Sequence, residues 1–420
     1  MNLSPHHAHL ASWAIAAAAA AGVIVRPFKW PEAVWACGGA LLLVLLGLLP
    51  VTEALAAVGK GHDVYLFLIG MMLLSEVARR EGLFDWVAAQ AVNHARSSPR
   101  RLFLLIYIVG VVVTTFLSND ATAVVLTPAV YAAARKAKVE PLPYLFICAF
   151  IANAASFVLP ISNPANIVLY GDRTPPLGQW LASFALPSLL SIVATYFALR
   201  WTEGRRLEAR CDSGVAVPPL SAGAWSAMIG LGLTAVVLTV VSALDRQLGL
   251  PTAAMGILTT VVVLVVSRSS PWATVKGVSW AVLPLVAGLF VLVESLVATG
   301  VIGDLAQLLM RSVADAPQAT PWISGGLIAV ASNLMNNLPA GLVASSTVQL
   351  AHPPQAVIDA LLIGVDLGPN LSVTGSLATI LWLTAIRREG EDVGFWRFLK
   401  LGAVVMPPAL LLALAARLLV

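Results

Sequence analysis

Four short stretches of this sequence gather polar side chains that could recognise a small solute. They are Ser118-Asn119-Asp120, Asn336-Asn337, Pro160-Ile-Ser-Asn-Pro-Ala-Asn166, and Asp366-Leu-Gly-Pro-Asn370 continuing to Thr374-Gly-Ser-Leu-Ala-Thr379. Asn, Ser and Thr both donate and accept hydrogen bonds, which suits a neutral polyhydroxylated solute or a cation. Proline and glycine in these stretches interrupt a helix and free its carbonyls and amides. Half-helices restarting after each break would add partial positive charge at their N-termini. The candidate binding residues are therefore Ser118, Asn119, Asn163, Asn166, Asn336, Asn337, Thr374, Gly375 and Ser376. The competing account is that these groups only satisfy broken backbone and join helices.

Two acids belong to the same stretches, Asp120 and Asp366. An ionisable group at membrane depth is costly and functional by default, so one of the two, or both, is expected to exchange a proton. The alternative for each is a carboxylate capping a half-helix N-terminus. Glu76 and Glu294 lie nearer the ends of their spans, where ion pairing with neighbouring loops is expected. His62, His94 and His352 read as solvated loop residues. Cys37, Cys148 and Cys211 are isolated and fit neither a disulfide framework nor a spaced metal site. No cofactor, metal or nucleophile–base pair is expected, and an enzyme is the least favoured class.

Membrane-spanning helices must position these residues. Of 420 residues, 59% are hydrophobic and 11% charged, against about a quarter charged in soluble domains. Apolar runs such as 33–50, 224–241 and 402–420 are long enough to cross a hydrocarbon core of ~30 Å as helix. The alternating segments of a barrel are missing. No phosphate-cradling Gly-x-x-x-x-Gly-Lys-Ser/Thr run occurs, which argues against ATP hydrolysis by this chain. The apolar run 10–25 lacks a basic region before it and reads as the first span rather than a signal peptide.

Spans are expected near 10–25, 31–50, 64–78, 142–170, 179–200, 223–244, 251–267, 278–299, 355–386 and 401–419. Residues 101–134 and 321–351 are each about one and a half spans long, with polar centres that a lipid-facing helix could not carry. Each reads as a re-entrant helical hairpin. With both hairpins re-entrant, 20 of the 25 Lys and Arg fall on one side, and Lys60, Arg173, Arg246, Arg311 and Arg417 on the other. The positive-inside rule then makes the first side cytoplasmic and places both termini in the periplasm.

The chain also repeats itself. Gly70, Glu76 and Gly82 recur as Gly288, Glu294 and Gly300 at an offset of 218, which lays Ser118 on Asn336 and Asn119 on Asn337. Five crossings per half would invert the second half, a recurring design of secondary transporters with the site at the repeat interface. The expected fold is an all-α polytopic membrane protein. It has two inverted repeats of five transmembrane helices, each with one re-entrant hairpin and one broken helix. The halves are residues 1–205 and 222–420, joined by a cytoplasmic linker at 206–221. The broken helices are 142–170 and 355–386.

At these residues the sequence resembles the arsenite/antimonite efflux permease (ArsB-type) family of the ion-transporter superfamily. The resemblance is densest over residues 363–382, and is supported by 118–128, 152–168 and Met335-Asn-Asn-Leu-Pro339. It implies a bacterial inner-membrane protein that extrudes arsenite or antimonite in exchange for protons. It also implies optional pairing with a cytoplasmic arsenical-pump ATPase, although the short central loop is a poor platform for one. Superfamily relatives move the hairpin domain as an elevator. A sodium/proton antiporter is the runner-up. A dicarboxylate carrier fits less well, because no midplane Arg or Lys offsets Asp120 and Asp366.

Overall fold

The computed structural model describes residues 5–419 except 172–173, 209–210, 213–214 and 218; Arg173 and Arg210, counted above, lie outside the described residues. The described residues form helices and no strands. The first run comprises α1 (Pro5–Val25), α2 (Glu32–Leu45), α3 (Val51–Lys60), α4 (His62–Arg80) and α5 (Leu83–His94). It continues through α6 (Pro99–Leu117), α7 (Asn119–Ala121), α8 (Thr127–Lys136), α9 (Leu142–Ala154), α10 (Pro164–Tyr170) and α11 (Leu177–Glu203). The second run comprises α12 (Ala222–Ala243), α13 (Gly249–Ser267), α14 (Pro271–Gly277), α15 (Val282–Ala298) and α16 (Val301–Asp315). It ends with α17 (Ala319–Met335), α18 (Asn337–Ala351), α19 (Gln355–Leu367), α20 (Leu377–Arg388) and α21 (Phe395–Leu418).

Among the described residues, seven helical segments are long and apolar enough to cross a membrane, and α3–α4 make an eighth, bent by 48°. The bundle exterior is apolar along whole helices, as at Leu41, Leu45, Ile229, Leu233, Val261 and Val265. A soluble protein rarely exposes so continuous a surface. This is a multi-pass membrane protein.

Both polar-centred segments are helical pairs with a sharp break. In the first, Ser98 Oγ caps α6 by accepting from the Arg101 amide at 3.3 Å, and the helix ends at Ser118 with φ 107° and ψ 161°. In the second, α17 ends at Asn336 with φ 75° and ψ 154°. Neither residue is glycine, and such backbone is held at a cost of about 1–3 kcal/mol. The two sites are offset by 218 residues and share one conformation. Gly82 (φ 73°) and Gly300 (φ 85°), at the same offset, each open the next helix in left-handed backbone. Past the first tip, residues Thr122–Leu126 form a π-helical turn. Pro128 lacks the amide that would continue α-helical bonding there, which widens the turn.

Long-range packing is reciprocal. Helix α4 packs on α13, and α15 packs on α2. An added Cβ at Gly70 would fall on the Thr252 carbonyl. One at Gly288 would lie 2.7 Å from the Ala36 carbonyl carbon. Glycine thus sets the close crossing in both pairs. Likewise α10 packs on α18, and α20 packs on the first hairpin's π-turn and α8. Helix α11 packs along α21.

Candidate functional site

The two broken spans meet at the centre of the bundle. In the first, α9 stops at Ala154, a 3-10 turn covers Pro160–Ser162, and Asn163 restarts the helix by accepting from the Ala165 amide at 3.0 Å. Pro164 occupies the first helical position, where its missing amide costs nothing. In the second, α19 runs into a 3-10 turn over Gly368–Leu371. Ser376 Oγ then caps α20, accepting from the Thr379 amide at 3.1 Å.

Direct hydrogen bonds join the breaks. Asn163 Nδ2 donates to Asp366 Oδ1 at 2.7 Å, and Asn153 Nδ2 donates to Asn370 Oδ1 at 3.0 Å. Asp366 is fully buried, and its Oδ2 has no hydrogen-bond partner. The second tip is tied to the second break: the Asn337 amide donates to the Gly375 carbonyl at 2.9 Å. Asn333, one turn before that tip, serves as a hub. Its Nδ2 donates to the Gly368 carbonyl, and its Oδ1 accepts from the Ser372 amide and hydroxyl. Gly375 fits against this hub because an added Cβ would stand 2.7 Å from Asn333 Oδ1.

A cavity of about 600 Å³ opens beside the first tip. One wall is α4, α5, the end of α14 and the segment leading from it into α15; the other is the first hairpin with Pro164, Leu381 and Arg388. Ser118 and Asp120 line it, Ser118 buried and Asp120 half-buried. Its remaining charged lining is Glu76, Arg79, Asp85, Lys276 and Arg388. Arg79 is engaged by Glu76 through two bonds at 2.8 and 2.7 Å, whereas Lys276 and Arg388 are exposed.

The structure therefore divides the expected site residues. Ser118 and Asp120 reach the cavity. Asn119 is buried and its Oδ1 accepts from the Asp120 amide at 2.9 Å. Asn166 is fully buried and donates to the carbonyls of Ser156, Leu159 and Pro160. Asn336 caps α18 through a 3.4 Å bond from the Leu338 amide, and Thr374 Oγ1 donates to the Asn333 carbonyl. Asp366 and Ser376 lie inside the packed core.

Sequence reading passed over the cavity residues Arg79, Asp85, Lys276 and Arg388, and the hubs Asn153 and Asn333. It gave Glu76 only an ion-pairing role. That pairing exists, but with Arg79 of the same helix rather than with a loop, and Glu76 also faces the cavity. Glu294 pairs with Lys60 at the end of α3, at 2.6 Å. The exposed His62 and His94 are the first and last residues of helices, not loop residues. The one available signal was the motif Glu-x-x-Arg on an otherwise apolar helix. Among the described residues no three His, Cys, Asp or Glu side chains are placed to hold a metal.

An apolar helical bundle with paired hairpins, broken spans and a polar-tipped cavity defines a multi-pass membrane transporter. Residues 20–364 match the family model described as citrate transporter, CitMHS. The chain belongs to that family. It is 29% identical over 361 residues to an arsenical pump membrane protein of Yersinia enterocolitica, covering 83% of this chain and 84% of the relative. An uncharacterized transporter of Mycobacterium tuberculosis is 26% identical over 370 residues, covering 84% and 85%. The crystal structure of the YdaH transporter of Alcanivorax borkumensis superposes with a TM-score of 0.58 at 17% identity, covering 87% of this chain and 86% of that one. That likeness speaks for the fold alone.

Proposed function

We propose that this transporter expels a neutral trivalent metalloid hydroxide, arsenite or antimonite, in exchange for protons. The observation that carries this reading is the cavity beside the first tip, where Ser118 and Asp120 are presented together. Asp120 is in no ion pair among the described residues. A triol-like solute can hydrogen-bond to such a wall, and a carboxyl free of ion pairing there can trade its proton for the solute. Arsenical pump relatives covering most of the chain support the same substrate class.

Two inverted halves, 1–205 and 222–420, with a mobile hairpin unit, belong to this proposal. Its supports are the shared backbone of Ser118 with Asn336 and of Gly82 with Gly300, and the reciprocal packing of α4–α13 with α15–α2. The Lys and Arg distribution supports a cytoplasmic cavity mouth.

A second reading is transport of a small carboxylate anion. Lys276 and Arg388 on the exposed part of the cavity favour it, as does the family's name.

Everted vesicles with an acidic lumen test both. Arsenite should enter and alkalinise the lumen, while sodium and citrate leave it unchanged. Citrate uptake without arsenite uptake would establish the second reading. Proton release on sodium addition alone would make the chain a sodium/proton antiporter.

A further inference from the structure

The face that α4 turns to the cavity carries sulfur. Leu68, Met71, Met72, Ser75, Glu76 and Arg79 line it at the three- and four-residue spacing of one helical face. Met71 is buried and Met72 half-buried. Among the described residues that line the cavity, these two are the only ones with a sulfur atom, since none of the three cysteines reaches it. At the offset of 218 residues, α15 has Leu289 and Phe290 in their places, so a helix of this kind packs there without sulfur. The hairpin wall of the same cavity presents Ser118 and Asp120. A solute held between the walls therefore meets oxygen on one side and thioether on the other.

We propose that Met71 and Met72 are specificity-determining residues of this cavity, a soft wall that separates trivalent arsenic and antimony hydroxides from hard trihydroxides such as boric acid. The inference rests on the metalloid reading above. Hydrogen bonds alone separate these solutes poorly, because each offers three hydroxyls to the same acceptors. A thioether is polarizable and favours a soft centre over a hard one. Its sulfur approaches arsenic along the extension of an As–O bond, so the hydroxyl opposite points away from α4, toward Ser118 and Asp120. The contact is non-covalent. A thioether has no proton to give up, so no hydroxyl leaves as water and no As–S bond replaces As–O. A thiol in the same place would undergo that exchange and retain the metalloid, whereas the thioether lets it go.

Everted vesicles carrying the parent chain or Met71→Leu with Met72→Leu test the soft wall. Leucine conserves the volume and removes the sulfur. The quantities measured are KM and kcat for arsenite and antimonite, and the inhibition constant of boric acid against arsenite uptake. The double variant should raise the arsenite KM about five-fold, the scale of one or two sulfur contacts. The antimonite KM should rise at least as much, and the boric acid constant should stay where it was. Preference for arsenite over boric acid then shrinks by the same factor, with the loss in KM rather than kcat. A packing role alone would weaken all three solutes together. Met72→Leu alone, at the half-buried position, should give part of the same shift and carries the test if the double variant fails to reach the membrane. An unaltered arsenite KM, or boric acid affinity falling in step with it, would overturn the soft wall. Parent vesicles that take up no arsenite would instead overturn the metalloid reading beneath it.

Discussion

Asn163 and Asp366 are 203 residues apart in the chain, yet the asparagine's Nδ2 donates to the carboxyl at 2.7 Å. Each sits at the break of a different broken span, so this bond fixes the two spans to one another. Asp366 Oδ1 is satisfied, and Oδ2 is buried without a hydrogen-bond partner. Asp120, in contrast, faces the cavity. The two acids that look alike in sequence therefore have different neighbours, which makes their substitutions informative.

Asp366→Ala should destabilise the protein by about 1–3 kcal/mol, because Asn163 Nδ2 would be left buried and unsatisfied. Asp366→Asn keeps an acceptor for that bond and should unfold within about 1 kcal/mol of the parent. Denaturation of the purified protein in detergent, followed by tryptophan fluorescence, measures both. Wild-type stability of Asp366→Ala would remove the cross-brace.

Asp120→Asn should reduce proton-driven efflux to background while largely sparing solute exchange across vesicles without a gradient. The carboxyl is needed to carry the proton, whereas an amide can still hydrogen-bond a hydroxylated solute. Unimpaired gradient-driven efflux in this variant and in Asp366→Asn together would sink proton coupling through either acid.

Asp359 anchors the other end of the second broken span. Its Oδ2 accepts from Arg417 Nε at 2.6 Å; its Oδ1 accepts from the Tyr170 hydroxyl at 2.6 Å and from Gln355 Nε2 at 2.7 Å. The carboxyl is fully buried. Removing one partner of such a pair strands the other charge, so Arg417→Leu should cost about 3–5 kcal/mol. Asp359→Leu combined with Arg417→Leu should recover part of that loss in a double-mutant cycle. Additive losses would show the pair to be uncoupled.

Gly70→Ala and Gly288→Ala should both be disruptive, each forcing a close helix crossing apart at about 1–3 kcal/mol. Gly38→Ala and Gly232→Ala meet no atom within 4 Å and should stabilise by about 0.5–1 kcal/mol, as expected of a helical glycine replaced by alanine. Folded yield and melting temperature, compared across the four variants, check the contrast.

Much of this architecture was legible beforehand for local reasons. Apolar length marked α1, α11, α12, α13, α15 and α21, since transfer into lipid depends on composition over about twenty residues; the span expected at 31–50 instead ends as a helix at Leu45. Polar centres within 101–134 and 321–351 marked where each of these segments breaks, at Ser118 and Asn336. Proline and glycine at 160–164 and 368–375 gave the breaks, because their backbone chemistry acts within one turn. The left-handed Ser118 and Asn336 were not marked by glycine, so their shared conformation emerged only as φ and ψ.

The sequence by itself determined that this is a polytopic helical membrane protein, where its helices break, and which polar residues lie at the breaks. Only the tertiary structure decided which of those residues meet. Asp120 joined Glu76, Arg79, Lys276 and Arg388 around one cavity, while Asp366 turned inward to Asn163. That division depends on packing between segments up to about 270 residues apart in the chain, which no local hydropathy or spacing encodes.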